Sequence, residues 1–295
     1  MAYEEIIFLV GAFLVNTLAS GLVYSLATTS LTTMYGGLGI PNIALGQFFI
    51  IGAYLLYFFY VQLHLNLIIS ALATMVMLIA FYFLIEKVVF RRFYSAPSGE
   101  RIVFFVLLTI GMSQILGNII LITFEANTYR IVTPWYYETI NVLSFPSPVS
   151  YILGITLLSV TLCVLFWFLR YTKYGKAIRA LVQDREMTGL MGVNITRMST
   201  LTFLLSSGVA SFAGMIYGLM YSFDPSASGM IFSMTFVMML VGGRGSVLGS
   251  MIMGFFFGGL QAALTMFFFP SASLYVFFAV MLIILLAKPE GLFKR

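Results

Sequence analysis

The chain has 295 residues, of which 61% are hydrophobic and only 8% charged, with a mean hydropathy of +1.04 and a formal net charge of +5. Soluble domains carry about 25% charged residues, so this composition excludes a water-soluble domain and points to the bilayer as solvent. The excess of basic residues is explained by membrane topology and by attraction to anionic membrane lipid, and calls for no nucleic acid as partner.

About 30 Å of hydrocarbon at a 1.5 Å rise per residue requires roughly 20 apolar residues per span. In chain order, the runs near 6–26, 43–61, 65–85, 102–124, 149–169, 200–221, 229–241, 247–268 and 273–287 are predicted helices. The predicted fold is all-α, a polytopic transmembrane helical bundle of about 8–9 spans. The first run follows acidic Glu4 and Glu5 and lacks the basic flank and small-residue cleavage site of a signal peptide, so it is expected to remain as an anchor. The non-apolar stretches 86–101, 125–148 and 170–199 are too short for cores of their own, so residues 1–295 read as a single membrane domain.

Between the first two runs, Gly36-Gly37-Leu38-Gly39-Ile40-Pro41-Asn42 interrupts the apolar pattern, as Gly242-Gly243-Arg244-Gly245-Ser246-Val247-Leu248-Gly249 does later. Both read either as helix breaks within the membrane, where unwound backbone can line a binding site, or as plain cytoplasmic turns. His64, the single histidine, falls in a short outer loop. Gly111-Met112-Ser113 looks like the Gly-x-Ser of an intramembrane serine protease, but Ser113 is predicted near mid-membrane, with no base beside it. On the same run Gln114 and Asn118, one helical turn apart, either line a path or hydrogen-bond to a neighbouring helix. No phosphate-binding loop, zinc helix or cluster of intramembrane carboxylates occurs, which leaves no catalytic residue and no metal ligand to name. Cys163, the only cysteine, reads as a small core residue and forms no intrachain disulfide.

Lys and Arg are retained on the cytoplasmic side during insertion. Lys87, Arg91, Arg92 and Arg101 share one loop, Arg170, Lys173, Lys176, Arg179, Arg185 and Arg197 another, and Lys288, Lys294 and Arg295 close the chain. With the N-terminus outside and the C-terminus inside, these 13 and Arg244 are cytoplasmic, leaving Arg130 as the one outer basic residue of 15. Arg244 at the bilayer centre would cost about 2.5–3.5 kcal/mol, so it is expected to face cytoplasm or protein. The outer loop 125–148, with Glu125, Glu138, Trp135, Tyr136 and three prolines, is expected to help receive an external protein. Small residues at four-residue spacing, Ala210, Gly214 and Gly218, then Ser250, Gly254, Gly258 and Ala262, mark two helix-packing faces.

The inner loop 170–199 is the most informative stretch. Tyr174 to Arg197 reads as a short amphipathic helix, a glycine-containing turn and a second helical start. Leu181, Met187, Leu190 and Met191 are predicted to form an apolar face, with Arg179, Gln183, Asp184, Arg185 and Glu186 exposed around it. Such a face suits either a groove on a cytosolic partner or the membrane surface.

Four stretches then match a known pattern in order. They are Gly39-Ile40-Pro41-Asn42-Ile43-Ala44-Leu45-Gly46 with Ile51-Gly52-Ala53-Tyr54; Gln183-Asp184-Arg185-Glu186 with Gly189-Leu190-Met191-Gly192-Val193-Asn194 and Arg197; Gly242 to Ser246 with Gly249; and Lys288-Pro289-Glu290-Gly291-Leu292-Phe293. Over nearly the full chain the sequence resembles permeases of branched-chain amino acid ABC transporters, specifically the shorter LivH-type subunit. It departs from that pattern at Leu45, usually histidine, at Arg244, usually leucine or methionine, at Gln261, commonly glutamate, and at Met187 and Thr188, usually alanines.

The resemblance implies a non-enzymatic permease subunit in the cytoplasmic membrane of a prokaryote. Its implied partners are a second, homologous permease subunit, two cytosolic ATP-binding subunits and an external solute-binding protein. ATP is held on the partner subunits, and no cofactor binds this chain. Gln183, Asp184, Arg185, Glu186, Gly189, Gly192 and Asn194 are the residues expected to couple to the ATPase. Asn42, Gly46, Gln114, Asn118, Gly243, Gly245 and Gln261 are the candidate translocation path. Branched-chain amino acids are the implied substrate, with other small amino acids, urea or amides as alternatives; an uncoupled channel or carrier for small solutes is the competing reading.

Overall fold

The computed structural model describes residues 2–94, 98–142, 145–267 and 270–293. Lys294 and Arg295, and the side chains of Glu4 and Arg101, lie outside the described residues. The fold is a polytopic α-helical bundle, with helices at all nine expected positions. Among the described residues, seven are long and apolar enough to cross a membrane, while Ala227–Gly242 and Tyr275–Ala287 are shorter apolar helices.

α1 runs from Ala2 to Leu38, well past the expected end near residue 26. At 1.5 Å per residue its 37 residues reach about 55 Å, so it must tilt in or project from about 30 Å of hydrocarbon. The serines and threonines from Ser25 to Thr33 lower the hydropathy, but all of their hydroxyls except that of Thr29 find partners inside the protein. Ser30 donates to Leu26 O at 2.9 Å, Thr33 to Thr29 O at 2.8 Å and Ser25 to Met251 O at 2.8 Å. A polar stretch thus becomes the buried axis of the bundle.

α2 (Leu45–Tyr57) continues through a π turn, Phe58–Gln62. α3 (Leu67–Ile85) also continues, through a π turn over Glu86–Phe90 and a 3-10 turn over Arg91–Phe93, so most of the expected loop from residue 86 is helical. Its buried stripe is Ser70, Thr74, Leu78 and Tyr82, and Glu86 extends the same four-residue spacing. α4 is Ser98–Phe124. The loop that follows carries a short antiparallel hairpin, β1 (Thr139–Val142) and β2 (Phe145–Pro148), and Tyr129 pairs with Phe223 in a separate β-bridge.

α5 (Val149–Tyr171) buries Ser150, Gly154, Leu158, Leu165 and Leu169. Cys163 lies off this stripe and is exposed on the chain's surface, contrary to the core placement expected of it. Two short helices follow, α6 (Lys173–Gln183) and α7 (Arg185–Leu190). α8 (Ile195–Met220), α9 (Ala227–Gly242), α10 (Val247–Phe267) and α11 (Pro270–Ala287) complete the bundle.

Both small-residue faces pack backbone against backbone. A Cβ on Gly258 would lie 2.5 Å from Gly21 Cα, and one on Gly254 2.5 Å from Ser25 Cα, so α10 lies directly on α1. A Cβ on Gly214 would lie 1.7 Å from Phe49 O, which locks α8 to α2.

Candidate functional site

The end of the bundle formed by α6 and α7 is built from local caps. Thr172 accepts from Gly175 N at 3.0 Å to start α6, Asp184 from Met187 N at 2.9 Å to start α7, and Asn194 from Arg197 N at 2.9 Å to start α8. Gly192 makes the turn between α7 and α8 at φ 84°, in the left-handed region that favours glycine. Gly189 packs against the Ile195 side chain.

α7 presents an apolar ridge, with Met187 59%, Leu190 82% and Met191 85% exposed. Gln183, Asp184 and Glu186 are exposed around it. Two expected members turn inward instead. Leu181 is buried against the bundle, because α6 uses its apolar face to dock on its own chain. Arg185 donates to Gly37 O at 2.8 Å and to Ser199 Oγ at 3.0 Å, since a guanidinium on an inward-facing turn reaches backbone acceptors that lack helical partners. Arg179 also departs from the exposed position expected of it, capping the C-terminus of α5 by donating to Leu169 O and, at 3.2 Å, to Arg170 O.

The expected path residues separate into three places. At the first, Asn42 is buried and its side-chain oxygen accepts from Ala44 N at 2.9 Å, which shapes the break before α2. A Cβ on Gly46 would lie 2.2 Å from Ser228 O, so the start of α2 touches the start of α9. Phe223 packs edge-to-face with Tyr54, ring centroids 5.0 Å apart, eight residues along α2 from Gly46. At 1.5 Å per residue, the start of α9 therefore lies about 12 Å closer to the N-terminus of α2 than Phe223 does. Two helix N-termini converge there inside the bundle, with Gln47 Nε2 donating to Ser228 Oγ at 2.9 Å and Gln47 Oε1 left without a partner. Gly117 packs against this amide, and Gln114 and Asn118 flank it on the exposed side of α4. Sequence reasoning missed Gln47 and Ser228, although a glutamine beside Gly46 in an apolar run is a readable signal.

Gly243 and Gly245 occupy the second place, the turn between α9 and α10 at the α6–α7 end, with φ of 94° and 82°. This turn is not the partner of the break before α2; the segment from Tyr221 to Ser226, which leads into α9, fills that position. Of the two readings open for 242–249, the structure has a turn between helices, whereas Asp224 and Pro225 lie in the segment that leads into α9.

Gln261 occupies the third, a cavity of about 390 Å³ among α1, α8 and α10. Asn16, Ser20, Tyr24, Tyr217, Tyr221 and Thr265 give it a neutral polar lining. Gln261 Oε1 has no hydrogen-bond partner.

Glu86 is fully buried and accepts from Thr200 Oγ1 at 2.5 Å, while its second oxygen is unpartnered. It escaped the sequence reading because it was assigned to a loop. Burial, and secondarily the Glu86 carboxylate, push the neighbouring Tyr94 hydroxyl well above the ordinary tyrosine range. Arg91, Arg185, Arg244 and Lys288 gather at this same end: Arg185 bonds Gly37 and Ser199, a Cβ on Gly245 would meet Val182, and one on Gly291 would lie 2.6 Å from Gly243 Cα. Arg130 is on the hairpin side of the bundle, stacked over Tyr136 at 4.7 Å.

Comparison with known proteins places this architecture. The chain is 27% identical over 296 residues to the high-affinity branched-chain amino acid transport system permease protein BraD of Pseudomonas aeruginosa, covering 96% of this chain and 95% of that one. It is 25% identical over 298 residues to the corresponding permease protein LivH of Salmonella typhimurium, covering 95% and 94%. The fold is shared with PsaBC from Streptococcus pneumoniae, solved in complex with Fab, at a TM-score of 0.51 and 12% identity over 94% of this chain and 92% of that one. Residues 13–285 match the family model described as branched-chain amino acid transport system / permease component, so a chain whose polar groups converge inside a membrane bundle and whose amphipathic helices cluster at one end belongs to that permease family.

Proposed function

We propose that the chain is the membrane-spanning permease subunit of an ATP-binding-cassette importer for branched-chain or related small amino acids. The observation that carries this reading is the α7 ridge. Met187, Leu190 and Met191 stand exposed on a capped, rigidly seated helix at the end where the basic residues gather. A solvent-facing apolar ridge rimmed by Gln183, Asp184 and Glu186 suits a groove on a cytosolic ATPase. By the positive-inside rule that end is cytoplasmic and the hairpin end faces outward, in the cytoplasmic membrane of a prokaryote.

In this reading two ATPase subunits hold and hydrolyse ATP, and a second, homologous permease subunit completes the path. A solute-binding protein delivers substrate to the hairpin end. Coupling runs through Gln183, Asp184, Glu186 and the α7 ridge, with Gly189, Gly192 and Asn194 shaping the turn and Arg185 holding it to the bundle. The converging starts of α2 and α9, with Asn42, Gly46, Gln47 and Ser228, form the inner part of the path; Gln114 and Asn118 face the second subunit, and Gln261 lines the cavity beside it. Rigid-body movement of the coupled end then alternates access.

Uptake of radiolabelled leucine tests the reading in cells lacking this gene and in the same cells complemented with it. Restored uptake that excess isoleucine or valine competes away is the expected result. Equal uptake with and without the gene would reject it.

A further inference from the structure

Val182 sits near the end of α6, and its two γ-methyls meet two glycines from different parts of the chain. An ideal Cβ on Gly36, near the end of α1, would lie 2.5 Å from Val182 Cγ2. One on Gly245, in the turn between α9 and α10, would lie 2.5 Å from Val182 Cγ1. Neither approach is open to any other residue without displacing the valine. The two halves of this socket are themselves held. Gly37 O receives Arg185, and a Cβ on Gly37 would lie 2.4 Å from Thr202 Cγ2, which ties the end of α1 to α8. On the other half, Leu292 N donates to Val241 O at 2.8 Å, and Gly291 packs on Gly243, so the segment after α11 clamps the turn.

We propose that Val182, seated between Gly36 and Gly245, is the joint through which movement of α6 and α7 reaches α1 on one side and the α9–α10 pair on the other. This rests on the permease reading above. Interlocked side chains transmit displacement because packed interiors are close to incompressible. The two elements joined here matter: α1 lines the cavity of Gln261, and the first turn of α9 places Ser228 against Gly46. A rigid knob in a two-glycine hole moves both together, whereas a looser side chain would let α6 shift without them. Val182 is therefore a positioning residue, and Gly36 and Gly245 are glycines because they receive it.

The test uses the complete transport complex, purified through a tag on this chain and reconstituted in liposomes. ATP-driven leucine uptake by the wild-type complex establishes the permease reading first. The ratio of leucine transported to ATP hydrolysed then scores the joint, alongside the yield and thermal midpoint of each complex. Val182→Ala empties the hole and should lower that ratio by about fivefold, an effect of the size expected for residues in direct contact. Gly36→Ala drives a methyl into Val182 and should lower it at least as far. The double variant, Val182→Ala with Gly36→Ala, removes both γ-methyls and returns one methyl on the Gly36 side only, so the ratio should recover in part and stand clearly above the product of the two single losses. An unchanged ratio in Val182→Ala would overturn the proposal, and so would a double variant in which the two losses simply multiply. Because Val182→Ala only removes atoms, it remains a fair test even if Gly36→Ala is poorly assembled.

Discussion

Alanine at Gly214 measures how tightly α8 is locked to α2. The added Cβ would sit 1.7 Å from Phe49 O, where ordinary contact begins at 3.4 Å, so the helices must part locally by the difference, 1.7 Å. The Ser211 Oγ bond to Phe48 O, now 2.8 Å, would then stretch to 4.5 Å and be lost. Overpacking of this kind costs about 1–3 kcal/mol, and a buried hydrogen bond about 0.5–1.5 kcal/mol more, giving roughly 1.5–4.5 kcal/mol together. Gly208 on the same helix is the control, because a Cβ there meets nothing within 4 Å. Gly208→Ala should be neutral or slightly stabilising, since alanine is favoured over glycine in a helix by about 0.5–1 kcal/mol. Heating the detergent-solubilised chain and following the monodisperse fraction should show a large loss for Gly214→Ala and none for Gly208→Ala. Equal behaviour of the two variants would refute the backbone-to-backbone contact.

Orientation is checked by cysteine labelling in a Cys163→Ala background, a change expected to be silent because Cys163 is exposed on α5. A cysteine at Glu186 should react with an impermeant reagent only in inside-out vesicles, and one at Thr128 only in intact cells. Reversing Glu125 and Glu138, both exposed at the hairpin end, should raise the solute concentration for half-maximal uptake and weaken its salt dependence. Gly192→Val should strain a turn at φ 84° by about 1–3 kcal/mol and abolish stimulated ATP hydrolysis, whereas Gly192→Asn, which tolerates that region, should keep most of it. The double reversal of Asp184 and Glu186 should reduce stimulated hydrolysis only partly, since exposed ion pairs are worth about 0–1 kcal/mol each.

Apolar run length located every long helix because hydrocarbon thickness sets it. It failed where polarity was satisfied inside the protein: the hydroxyls of Ser25, Ser30 and Thr33 donate to backbone carbonyls and those of Thr28 and Thr32 bond side chains of α9 and α10, so α1 extends through them. Glu86 was misplaced for the related reason that charge was equated with loop, although Ser70, Thr74, Leu78, Tyr82 and Glu86 share one face at four-residue spacing. The caps of α7 and α8 were legible in Asp184 and Asn194, whereas the inward turn of Arg185 depends on where Gly37 and Ser199 come to lie, which no local pattern encodes. Likewise the sequence left Gly36, Gly243 and Gly245 open between helix breaks and plain turns. Only the tertiary arrangement assigns Gly36 and Gly245 to a single valine, and Gly243 to a close approach by Gly291.

The most direct test of the permease account is leucine flux into liposomes holding this chain alone, or together with the second permease subunit, the ATPase subunits and the binding protein. Accumulation should require all of these together with ATP on the ATPase side, and the chain alone should be silent. Flux of leucine, urea or an amide through the chain alone, at a rate unaffected by ATP, would contradict the account and establish an uncoupled channel in its place.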